Sequence, residues 1–216
     1  MPNIICIDPG HGGYDPGAVG KFKEKDFNLD VALDLKKALE SRGITVVMTR
    51  TEDKAPKGAK EVVADLQARC DIADASGAAL ILSIHANGFP GIAHGAEAYV
   101  WPGGVASGVA SSLVEALAPF VGVHGEAVKD GGPNGTNFKI IRGTKAPAVL
   151  LEIGFVVGDF DKLAKYLHQF GEILAVPLSK FLGGHAPAAP VVLPAGYVTE
   201  ERLAAFRLEL IKELKG

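Results

Sequence analysis

The stretch LILSIHAN, Leu80 to Asn87, is an apolar run that ends in a histidine and an asparagine. A short, continuous apolar run without polar alternation reads as a strand buried on both faces, and such strands belong to parallel sheets covered by helices. Leu80–Ile84 is therefore a strand, and the chain around it repeats the pattern. Asn3–Ile7 runs into the turn Asp8-Pro9-Gly10, and Ala148–Ile153 reads AVLLEI. Thr45–Thr49, Ala96–Trp101 and Phe138–Ile141 are further strand candidates. Helical spacing lies between them. Phe27, Val31, Leu35 and Leu39 fall on one helical face that stops at Gly43, and Val62, Leu66, Cys70 and Ala73 form another that stops at Gly77. Val109 to Phe120 and Leu163 to Leu182 complete the helices. This alternation predicts an α/β layered domain with a parallel or mixed sheet. Gly122 to Asn137 is glycine-rich and without period, and reads as a long loop.

Of the 216 residues, 48% are hydrophobic and 22% charged, with a net charge of −3, which suits a globular chain and argues against a general nucleic-acid binder. Cys6 and Cys70 each sit in an apolar pattern, so both are expected as small buried hydrophobes and not as a disulfide scaffold or a zinc site. No apolar run approaches a membrane span. The opening MPNIICID lacks the pattern of a Sec-type signal, so the expectation is a protein made in the cytoplasm that reaches its target after release by lysis. Near the C-terminus the composition changes. GGHAPAAPVVLPAG is a Pro/Ala-rich linker, drawn at 184–196. In 197–216, Leu203, Phe206, Leu210 and Leu214 form one stripe of a short amphipathic helix, expected to dock or to self-associate.

Ligands of α/β sheets bind beyond the carboxyl ends of strands. Three strands here end in chemistry: the first in Asp8-Pro-Gly-His11, the third in His85, and the last with Glu152 inside an apolar run. Glu24, in KFKEKD before the first helix, is a fourth candidate. Each has an ordinary explanation: a hydrogen-bonded structural imidazole, a buried ion pair of Glu152 with Arg50 or Arg142, a helix-dipole role for Glu24. Together they point elsewhere. Two histidines and a carboxylate complete the His₂Glu set of open catalytic zinc sites, and a further glutamate would serve as general base. The helical H-E-x-x-H signature is absent, as are a P-loop, a dinucleotide fingerprint and a G-x-S-x-G elbow. Ser83, two positions before His85 on the strand, shares its face, but nothing supports it as a nucleophile.

These residues resemble the zinc-dependent N-acetylmuramoyl-L-alanine amidase family of autolysins and phage endolysins, over about Asn3 to Leu182. IDPGHGGYDPGAVG is similar to the family's opening motif, KEKDFNLDVALDLKKALESRG to its second, ILSIHAN to its third and APAVLLEIGFV to its last. VVMTR and LQARCDIAD resemble the stretch leading into the third. The resemblance implies a twisted mixed sheet of about six strands flanked by helices, and one zinc ion held by His11, Glu24 and His85. It implies Glu152 as the catalytic glutamate. The implied reaction is peptidoglycan hydrolysis at the amide between N-acetylmuramic acid and L-alanine. Asn87 shares the direction of His85 by strand period and is a candidate for orienting substrate or oxyanion, while Arg50 and Asp15 are candidate partners of the ligands. One departure is visible: Val156-Val157-Gly158 follow Phe155 where relatives often carry Ser-Asn. A zinc carboxypeptidase or endopeptidase acting on stem peptides would use similar machinery. A non-catalytic wall-binding protein would lack one of the four site residues, and all four are present.

Overall fold

A computed structural model describes residues 3–89 and 93–185. The chain runs β1 (Ile4–Pro9), α1 (Glu24–Glu40), β2 (Thr45–Met48), α2 (Val62–Ala75), β3 (Leu80–Asn87), β4 (Ala96–Val100), α3 (Ala106–Val121), β5 (Val123–Asp130), α4 (Lys139–Arg142), β6 (Ala148–Phe155) and α5 (Phe160–Leu182). The six strands form one mixed sheet in the order β2-β1-β3-β6-β4-β5. β2, β1, β3 and β6 are mutually parallel, and β4 turns antiparallel to β6.

Strand period divides the sheet into two unequal faces. Ile5 and Ile7, Leu80, Leu82 and Ile84, and Val149, Leu151 and Ile153 point to one side, where α1, α3 and α5 cover them with Val31, Leu35, Leu113, Leu117, Phe170 and Leu174. This is the main core. Truncating one of these leucines to alanine would cost about 2–5 kcal/mol. The alternate residues Cys6, Ile81 and Leu150 face the other side, against Cys70 of α2 and Ile140 and Ile141 of α4. That second layer is thin. It stops short of the carboxyl ends of β1, β3 and β6, and the next residues on the same face are Asp8, Ser83, His85 and Glu152. The sheet therefore buries its apolar residues on both sides and leaves its polar ends beside an opening. Both cysteines are free and buried, as expected.

Two segments differ from the sequence reading. Phe138–Ile141, expected as a strand, overlaps the single-turn helix α4, with Ile140 and Ile141 buried over α2 and the sheet. A four-residue apolar run satisfies either conformation, and tertiary packing decides. The expected loop Gly122–Asn137 contains β5, an edge strand paired only with β4. Its register slips between Ala96 and Ala98, and its residues are half-exposed or exposed, so no apolar run announces it. At the C-terminal end, Gly184 and His185 donate backbone hydrogen bonds to the carbonyls of Ser179 and Arg42. The expected helix in 197–216, its self-association and most of the linker lie outside the described residues.

Candidate metal centre

The β1–α1 loop carries the first imidazole. His11 adopts φ 60°, a left-handed conformation that costs a non-glycine residue about 1–3 kcal/mol unless its surroundings enforce it. They do. The Arg69 guanidinium donates to the carbonyls of His11 (2.6 Å) and Pro9 (2.8 Å). Arg50 donates to the carbonyls of Pro9 (2.9 Å), Gly10 (2.9 Å) and Lys25 (2.8 Å). Both arginines are buried, and Arg69 is held by Asp65 and Asp8. Asp8 also accepts from Thr49 (2.6 Å) and Ser83 (2.7 Å). Burial alone would raise the Asp8 pKa, but the charge of Arg69 and these hydrogen bonds outweigh it and hold the carboxyl below its usual range. Ser83 is thus committed to Asp8.

Glu24 is the first residue of α1, where the helix N-terminus favours a carboxylate. Its Oε1 lies 3.1 Å from His11 Nε2 and 2.9 Å from His85 Nδ1. Its Oε2 accepts from the Ala18 amide at 2.8 Å. Burial would raise the Glu24 pKa, and the hydrogen bonds from the two imidazoles reverse this to hold it far below the usual carboxylate range. Asp15 Oδ2 is 2.7 Å from His11 Nδ1, which turns the opposite ring nitrogen toward Glu24. Two glycines make room. A Cβ on Gly10 would lie 2.2 Å from the His85 ring, and one on Gly17, at φ +63°, would lie 2.5 Å from Glu24 Oε2.

One ligand atom each from His11, Glu24 and His85 lies within 4.8 Å of the others. Two imidazoles and a carboxylate match the donor set of an open divalent site. A carboxylate behind one imidazole is the usual means of fixing a ligating histidine. The cluster opens into a cavity of about 480 Å³, and Glu152 and Asn87 line it with Leu66 of α2 and Phe138.

Glu152 stands opposite His85 on the neighbouring strand. It is only 9% exposed, and its Oε2 has no hydrogen-bond partner among the described residues. Neither Arg50, spent on backbone carbonyls, nor the exposed Arg142 pairs with it. Burial, then the charges of Glu24 and Glu97, push the Glu152 pKa well above the carboxylate range. Asn87, half-buried, donates to Glu97 Oε1 at 2.8 Å. Asp15 lies within the β1–α1 loop against His11, and Arg50 donates to that loop from outside it. The sequence reading missed Arg69, whose charge falls within an otherwise apolar helical stripe, and Glu97. A lone carboxylate in the apolar run Ala96–Trp101 was the signal that already marked Glu152.

Comparison with known proteins fits this geometry. The family model described as N-acetylmuramoyl-L-alanine amidase matches residues 5–168. The chain belongs to this amidase family. It is 34% identical over 169 residues to the sporulation-specific N-acetylmuramoyl-L-alanine amidase of Bacillus subtilis (strain 168), a match covering 74% of the chain and 59% of that protein. The N-acetylmuramoyl-L-alanine amidase CwlM of Bacillus licheniformis is 35% identical, with 74% of the chain and 60% of that protein covered. The chain thus spans about three-fifths of each of these curated relatives. Among solved structures, the amidase AmiC2 of Nostoc punctiforme superposes with a TM-score of 0.70 at 28% identity, covering 83% of this chain and 97% of that one. An amidase from Clostridium difficile 630 gives a TM-score of 0.69 at 27% identity, covering 84% and 97%.

Proposed function

We propose that this amidase-family chain hydrolyses peptidoglycan at the amide between the lactyl group of N-acetylmuramic acid and L-alanine, with one zinc ion held by His11, Glu24 and His85. The observation that carries the reading is the buried Glu152 carboxyl, one oxygen of which has no partner among the described residues, in the lining of the cavity that holds the His-Glu-His cluster. A buried carboxyl without a partner costs about 1–3 kcal/mol or more, a cost that a catalytic role explains. Zinc bound by His11, Glu24 and His85 would supply an acidified water and a Lewis acid for a carbonyl.

The rest falls to the chain's own residues. The Glu152 carboxylate accepts a proton from the attacking water. It returns that proton to the alanine nitrogen as the carbon–nitrogen bond breaks, leaving a lactyl carboxylate and a free amine. Its raised pKa suits a group that must accept and then donate. Asp15 keeps the His11 ring oriented, and Arg50 and Arg69 hold the loop. Digestion of purified walls tests the proposal: new amino groups on L-alanine support it, and release of D-alanine without them would establish a stem-peptide peptidase instead. His11→Ala is expected to lose zinc and lysis together, read by metal analysis and wall turbidity. Full zinc occupancy in that variant would remove His11 from the ligand set.

A further inference from the structure

Strand period places Asn87, Glu97, Tyr99 and Glu152 on the same face of the sheet, beside the cavity. Glu97 is 1% exposed and lies directly opposite Glu152 in the β4–β6 ladder. Such a carboxylate needs partners, and it has three. Lys129 of β5 pairs with Oε2, the Tyr99 hydroxyl donates to Oε1 at 3.0 Å, and Asn87 Nδ2 donates to Oε1 at 2.8 Å. The last contact settles which way the Asn87 amide faces. A carboxylate paired with lysine can only accept, so the NH₂ group must face Glu97. The amide oxygen is thereby turned away from Glu97, and no described residue donates to it.

We propose that Asn87 presents its side-chain oxygen to the cavity as the acceptor for a substrate amide N–H next to the scissile bond, with Glu97 as the positioning residue that fixes this orientation. The proposal rests on the amidase reading and adds a specificity contact to it. Asn87 lies two residues beyond the His85–Glu152 rung, about 6–7 Å along the strand, beyond a bulge in the β3–β6 register. That separation is on the order of two peptide spacings of about 3.6 Å, within the span of a substrate whose scissile amide lies at Glu152. The two candidates are the 2-acetamido group of the muramoyl sugar and the amide after L-alanine.

The test uses the zinc-loaded full chain, a synthetic muramoyl dipeptide, and two analogues. One replaces the 2-acetamido N–H by oxygen, and the other replaces the amide after L-alanine by an ester. Each analogue removes a donor without adding bulk. Wild type is expected to lose about tenfold in kcat/KM on one analogue. Asn87→Ala should lose about the same on the parent substrate and no more on that analogue. Glu97→Gln can donate as well as accept, so it frees the amide to flip and should also shrink the discrimination. A merely structural role would lower kcat/KM equally on all three substrates. Retention of full discrimination by Asn87→Ala, or its absence in wild type, would overturn the proposal while leaving the amidase reading intact. Failure of wild type to cleave the parent would overturn both.

Discussion

Glu152 is flanked by apolar residues on a strand buried along its whole length. Glu152→Gln keeps the shape and removes the base. The expected result is unchanged zinc content and fold, with kcat down by at least about a hundredfold in a soluble-substrate assay. Loss of zinc in that variant would instead make Glu152 a ligand. Asp8 gives a second expectation. Its pKa in the fold lies below the unfolded value of about 3.9, so the stabilisation is complete above pH ~4 and is lost as pH falls through the folded value. Asp8→Asn should therefore lower the melting temperature near neutral pH, by an amount corresponding to about 1–3 kcal/mol. It should also flatten the fall in melting temperature below pH 4. A thermal-melt series from pH 7 to pH 2.5 reads both. His85 and Glu152 were legible in the sequence because each interrupts an apolar run. Asp8 was legible only as a turn residue, because its partners Thr49, Arg69 and Ser83 come from three distant segments that only the fold brings together.

Among the elements, the β1–α1 loop carries the greatest constraint. Pro9 at the end of β1, and Gly10, His11 and Gly13 of the loop, are tied to segments far along the chain through Arg50, Arg69 and Asp53. Arg50 spreads its guanidinium over four carbonyls, and burial, reinforced by the nearby Arg69 charge, lowers its pKa to about 10. A lysine keeps the charge but cannot reproduce the fork. Arg50→Lys is thus expected to fold and to bind zinc about ten- to a hundredfold more weakly, measured by competition with a chelator. Unchanged affinity would show that the loop holds its shape without Arg50. The central strands and long helices could be read from the sequence because their burial is continuous or periodic. β5 could not, since an edge strand with a register slip buries no regular face. The residues of α4 misled for the opposite reason: their apolar run is genuine, but one helical turn buries it as well as a strand would.

At the scale of the molecule, all the proposed site residues precede Gly183, and the described fold closes with Gly184 and His185 bonded to its body. Deleting 186–216 is therefore expected to leave the melting temperature and zinc content near wild type. Light scattering of the full and shortened chains will show whether that segment joins two copies. A shortened chain that fails to fold would make the segment part of the core. The order of strands has a consequence during synthesis. β3 and β6 are neighbours in the sheet, yet β4, α3, β5 and α4 are translated between them. A chain still on the ribosome carries both histidines and Glu24 long before Glu152 emerges. It also lacks the strand that completes the centre of the sheet. The nascent protein therefore holds the three candidate ligands in its chain early, yet lacks the buried carboxyl of Glu152 until nearly the whole domain has been made.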